Sequence, residues 1–173
     1  MDDIYREEII EHYKNPLNYG KITGADIDKE DSNPLCGDSQ RIMIKLNDKK
    51  RIQNISFTGK GCAISIATAS ILTEHFKGKQ LSEVNLMTRE ELLDLIGLNL
   101  TPTRVKCAML PLITMKKGII EYESKSLAKK NIVSAISEIK KKNIIIKNKK
   151  LKIKIAKKRI KKTKKKHEKQ KKR

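Results

Sequence analysis

The stretch RIMIKLNDKKRIQNISFTGKGCAISIATASILTEHF, residues 41–76, decides the fold. Arg41 to Leu46 alternates apolar Ile42, Ile44 and Leu46 with polar neighbours, and Arg51 to Thr58 carries Ile52, Ile55 and Phe57 with a looser alternation. A period of two marks strands with one buried face. With Asn47-Asp48-Lys49-Lys50 between them, the pair reads as an antiparallel hairpin. Gly59-Lys60-Gly61 breaks the second strand, and Cys62 opens a run of small and apolar residues, Ala63 to Phe76, long enough for a helix that Gly78 stops.

Outward from that stretch the pattern turns helical. Upstream, Asp3 to Lys14 places Ile4, Ile9, Ile10 and Tyr13 on one helical face, with Asp2 or Asp3 as cap and Asn15-Pro16 as stop. Gly20 and Gly24 mark a loop before Ala25 to Asp28. Downstream, Thr88 with Glu91 three residues on is a capping box for a helix through Ile96, closed by Gly97. A further helix starts near Thr103 and runs past Gly118, with Cys107 in its first turn. The expectation is an α+β domain: a small antiparallel sheet of about three strands with helices packed on one face.

Charge divides the chain. Residues 1–124 carry 17 basic and 18 acidic side chains, whereas residues 125–173 carry 23 and 2. The first part is an ordinary near-neutral domain and the second a basic C-terminal extension, expected to be helical to about Lys142 through Ile132, Ile136 and Ile139 and disordered beyond. Lysine in that density can contact polyanions non-specifically, which raises an alternative reading: a nucleic-acid-binding protein using the tail, with a structural zinc site in the body. No aromatic residue follows Tyr122, so bases have no stacking platform. The acidic start, without an apolar segment behind it, and the lack of any run near 20 apolar residues point to a cytoplasmic protein with no transmembrane segment. No glycine-rich phosphate loop and no Ser/His/Asp constellation supports a hydrolase or oxidoreductase.

Three cysteines, an odd number, stay thiols in a reducing compartment. Cys36 lies in the turn sequence Asn33-Pro34-Leu35-Cys36-Gly37-Asp38, Cys62 at the mouth of a helix, and Cys107 behind Arg104-Val105-Lys106 near the start of another. A helix N-terminus lowers a thiol pKa, and Lys106 adds to that by charge at Cys107. Asp38, two residues past Cys36, can bring its carboxylate to the same point. Three thiolates and a carboxylate complete a tetrahedral shell for zinc or ferrous iron, or hold part of a cluster more weakly than four cysteines would. Free cysteine also serves as a small buried hydrophobe, and spacings of 26 and 45 match no compact zinc-finger pattern. His12 and His75 lie on helices as surface or packing residues, and His167 falls in the tail.

In four stretches the chain resembles the NifU/IscU/SufU family of iron-sulfur cluster assembly proteins. These are Tyr5-Arg6 through His12-Tyr13-Lys14-Asn15-Pro16, Asn33 to Asp38, Gly59-Lys60-Gly61-Cys62-Ala63-Ile64-Ser65, and Arg104-Val105-Lys106-Cys107-Ala108. They anchor nearly all of residues 1–122 in family order. The resemblance implies that Cys36, Asp38, Cys62 and Cys107 gather at one end as ligands of a metal or nascent [2Fe-2S] cluster. It further implies that Cys36 accepts sulfur from a pyridoxal-phosphate cysteine desulfurase, and that Arg104 and Lys106 support the site. The cargo is iron or [2Fe-2S], with zinc as alternative or resting metal, and the recipients are apo iron-sulfur proteins. Such a chain is a scaffold or carrier, at most an acceptor of the sulfurtransferase type. It departs from the pattern in three ways. Lys106 stands where IscU and NifU members carry histidine, Asn99-Leu100-Thr101-Pro102-Thr103 replaces the Leu-Pro-Pro-Val-Lys chaperone segment, and the longer insertion of SufU members is missing.

Overall fold

The computed structural model describes residues 2–34, 36–132 and 136. The chain divides into two units, Met1–Ser124 and Lys125–Arg173. In the first unit, helix α1 (Asp2–Lys14) precedes strands β1 (Ile27–Asn33), β2 (Asp38–Leu46) and β3 (Ile52–Lys60). Helices α2 (Ala63–Phe76), α3 (Leu81–Leu86) and α4 (Arg89–Ile96) follow, and residues 102–124 are helical as α5; in the second unit residues 125–132 are helical. The rest of the basic extension, with Ile139, Lys142 and the lysine-rich end, lies outside the described residues. Among the described residues, no helix is long and apolar enough to cross a membrane.

The strands form one antiparallel sheet in the order β1-β2-β3. Register pairs Ile27 with Ile44, Ile44 with Ile55 and Ile42 with Phe57, so these side chains share a face. All five are buried, together with Leu72 and Phe76 of α2 and Leu112, Met115 and Ile119 of α5. The sheet with helices on one face is the expected α+β arrangement. Gly118 marks where α5 crosses β1, because a Cβ there would lie 2.8 Å from Ile27 Cγ2 and 3.0 Å from Lys29 Cβ. Ion pairs from Lys29 to Glu121 and from Lys117 to Asp31 fasten the same crossing.

Helix α2 spans the expected residues and is buried almost all round, with Ser65, Ala67, Thr68, Ala69, Ser70 and Thr73 among its covered side chains. Small residues let neighbours approach on every side. Ser70 Oγ lies 2.8 Å from His12 Nδ1 and accepts from Leu17 N at 2.8 Å, which fixes α1 and the following loop against α2. That loop then runs beside β3, where Gly20 N donates to Phe57 O at 2.9 Å and Tyr19 packs edge-on against Phe57. The free edge of β3 is covered by this contact.

Four local expectations change. Strand β1, IDKEDSN, has no apolar alternation, yet it pairs along its full length. Strand β3 continues through Gly59 and Lys60, which pair with Gln40 and Ser39 rather than breaking the strand. A six-residue helix, α3, precedes the Thr88 capping box and is itself capped by Gln80 with Glu83. On α1, Ile9 of the proposed stripe is buried. Ile10 and Tyr13 are exposed, because the helix meets α2 through Ile9 and His12; the surroundings of Asp2, Asp3 and Ile4 lie outside the described residues.

Candidate metal and sulfur site

The site lies where the β1–β2 turn, the end of β3, the start of α2 and the early turns of α5 meet. Asn33 and Asp38 are register partners, so residues 34–37 form the connection between the strands. Asn33 O accepts from Cys36 N at 3.3 Å and Gly37 N at 2.9 Å, and Gly37 takes φ +73°, in the region that favours glycine. This turn leaves the Cys36 thiol exposed. Asp38, the first residue of β2, is by contrast buried, at 3% exposure.

Sulfur and oxygen converge. Cys107 Sγ lies 3.7 Å from Cys36 Sγ. One ligand atom each from Cys36, Asp38 and Cys107 falls within 4.8 Å of the others. Cys62 is the N-cap residue of α2, half-buried, and its backbone N–H donates to Asp38 Oδ1 at 3.2 Å. The Cys62 thiol is not one of that group of three, although its nearness bears on the ionisation of Cys107. Gly61 makes the approach possible, since a Cβ there would sit 3.0–3.2 Å from three atoms of the Asp38 side chain.

The second carboxylate oxygen decides what the arrangement is suited to. Asp38 Oδ2 is buried and has no hydrogen-bond partner among the described residues. An unpaired buried carboxylate oxygen is costly, and a cation at the adjacent sulfur atoms would relieve that cost. Two to three thiolates with one carboxylate suit zinc or ferrous iron, so the donor set fits such an ion.

Cys107 corrects the expectation of an activated thiol. It is the sixth residue of α5, past the first turn, and is 6% exposed. Burial, followed by the hydrogen bond to Cys36 and the nearness of Cys62, pushes its thiol up to about 12. Burial outweighs both the helix dipole and the neighbouring Lys106. Without a cation, Cys107 therefore keeps its proton and donates it toward Cys36 Sγ.

Arg104 and Lys106 are exposed. Lys106 instead lines a groove of about 510 Å³ beside the site, with Pro34, Arg89, Met109 and Lys117 among the walls. His12 and His75 stay apart from the sulfur atoms. His12 is held by Ser70. His75, at the far end of α2, lies 2.7 Å from Lys79 Nζ, and burial holds its imidazole below the ordinary value.

The family model described as the NifU-like N-terminal domain matches residues 4–131. The chain belongs to this family. The chain is 37% identical over 123 residues to the iron-sulfur cluster assembly scaffold protein IscU 1 of Archaeoglobus fulgidus, covering 71% of this chain and 79% of that relative. The zinc-dependent sulfurtransferase SufU of Bacillus subtilis is 34% identical over 140 residues, covering 71% of this chain and 94% of its own length. Among solved structures, the SUF-system protein FiSufU of Fervidobacterium islandicum AW-1 matches with a TM-score of 0.57 and 27% identity, over 67% of this chain and 96% of that one. Both relatives and the solved structure are matched over most of their length, so the family likeness extends across the domain that carries the site.

Proposed function

We propose that residues 1–124 act in iron-sulfur cluster assembly, with Cys36, Asp38, Cys62 and Cys107 holding the metal or nascent cluster and Cys36 receiving sulfur. The observation that carries this reading is the buried, unpartnered Asp38 Oδ2 beside converging cysteine sulfur atoms. The cargo is iron and sulfur: the persulfide sulfur on Cys36, reduced to sulfide by two electrons from an external thiol or protein reductant with the Cys36 thiolate released, combines with iron as a [2Fe-2S] unit for passage to apo recipient proteins. The sulfur donor is the persulfide of a pyridoxal-phosphate cysteine desulfurase, attacked by a thiolate on this chain. Cys36 suits that task because it is the exposed thiol of the three. Cys107 suits anchorage, since its sulfur is buried and its proton leaves only when a cation takes its place. Three free thiols fit a reducing, cytoplasmic setting.

Lys106 in place of histidine favours a second form of the same site, in which zinc rests on these ligands and Cys36 is displaced from it to take sulfur. Metal and sulfide analysis after anaerobic purification, before and after exposure to iron and sulfide, separates the two. Acid-labile sulfide with a visible chromophore that disappears in Asp38→Ala supports the scaffold. Stoichiometric zinc without a chromophore sinks it in favour of the zinc form.

A further inference from the structure

Gln40 is fully buried on the helix-facing side of β2, one step beyond Asp38 on the same face. Its Nε2 donates to the Ser65 carbonyl at 2.7 Å and to Ser65 Oγ at 2.9 Å. A carbonyl only accepts, so the orientation of the amide is fixed. Ser65 is the third residue of α2, three after Cys62. Two side chains from one strand face thus reach two positions on the first turn of the helix: Asp38 to Cys62 N, and Gln40 to Ser65.

Each of these side chains lies beneath a glycine. Gly61 clears space for Asp38, and Gly59, the register partner of Gln40, would carry a Cβ only 2.3 Å from Ser39 O and 3.1 Å from Gln40 Cγ. Packing alone does not call for glutamine here. Its Oε1 is buried without a partner among the described residues, a cost that an apolar side chain of equal length would avoid.

We infer that Gln40 is a positioning residue for the metal site, fixing the spacing between the Asp38 carboxylate and the Cys62 sulfur by tying β2 to the start of α2. The inference rests on the ligand assignment proposed above. A cation draws on the same carboxylate that accepts the Cys62 N–H. As that bond weakens, the Gln40–Ser65 bonds continue to hold the helix end in place, so Asp38 Oδ2 can meet the metal while Oδ1 stays beside Cys62 N.

The test uses the full chain, purified anaerobically and loaded with Co²⁺, whose d–d bands report ligand geometry. Gln40→Met keeps length and volume but removes the donor, and Ser65→Ala removes only the hydroxyl. Release of Co²⁺ to a chelator is expected to be about 10- to 100-fold faster in Gln40→Met, the range typical of groups that orient metal ligands. Its d–d bands are expected to shift, with Ser65→Ala intermediate. A purely structural brace would lower the melting temperature and leave band positions and release rate at wild-type values, which would overturn the inference. Should Gln40→Met not fold, Ser65→Ala carries the same comparison, because it leaves the carbonyl bond in place. Failure of the wild-type chain to bind Co²⁺ would instead overturn the ligand assignment, and the inference with it.

Discussion

The turn between β1 and β2 and the second turn of α5 each bring one sulfur atom to the same locus, yet they treat it in opposite ways. Cys36 sits on a short connection held by Asn33 O and open to solvent. Cys107 sits on a long helix clamped across β1 by Gly118 and two ion pairs, with its thiol buried and protonated. The two atoms are 3.7 Å apart, so the difference comes from backbone setting and burial rather than location. The proposed role, holding a metal and accepting sulfur from another protein, calls for one thiol of each kind.

Asp38 joins the two regions, and changing it gives the largest expected effect. Asp38→Asn keeps an acceptor for the Cys62 N–H while removing the anionic oxygen. Metal affinity should fall by on the order of 10- to 100-fold, while the metal-free protein gains about 1 kcal/mol, because a buried unpaired charge is gone. Competition with a chromophoric chelator and urea denaturation in chelator measure the two quantities. Unchanged affinity would break the link between Asp38 and the sulfur atoms.

A smaller effect sharpens the contrast between the thiols. The folded chain holds the Cys107 proton up to about 12 against an ordinary thiol value of 9.0. Between those values the folded state binds more protons than the unfolded state, so the stability of the metal-free protein is flat below pH 9 and falls as pH rises toward 12. Denaturant midpoints across that window should lose most of this slope in Cys107→Ala and keep most of it in Cys36→Ala. Equal slopes in the two variants would remove the distinction.

Parts of this arrangement are legible in the sequence, and the reasons the others are not are physical. The bounds of α2 follow from a run of small and apolar residues between Gly61 and Gly78, and Thr88 with Glu91 forms the capping box it spells. Strand β1 is hidden because it is an edge strand whose helix-facing Lys29 and Asp31 are balanced by Glu121 and Lys117 of α5, partners about 90 residues away. Helix α3 is too short to show a period. The four proposed ligand positions are readable from turn and glycine context together with the family motifs. The acidity of Cys107 is not, since its depth along α5 and its burial depend on how that helix lies on the sheet. Gln40 is missed because a glutamine in an alternating strand reads as a solvent-facing residue; only Ser65, 25 positions on, reveals its role.

The division of labour between the thiols is tested most directly by incubating the chain with a cysteine desulfurase and cysteine, then locating the persulfide by mass spectrometry in wild type, Cys36→Ala and Cys107→Ala. Sulfur on Cys36 in wild type and in Cys107→Ala, with none retained by Cys36→Ala, is the expected result. Wild-type sulfur loading of Cys36→Ala, or persulfide found on Cys107, would contradict it.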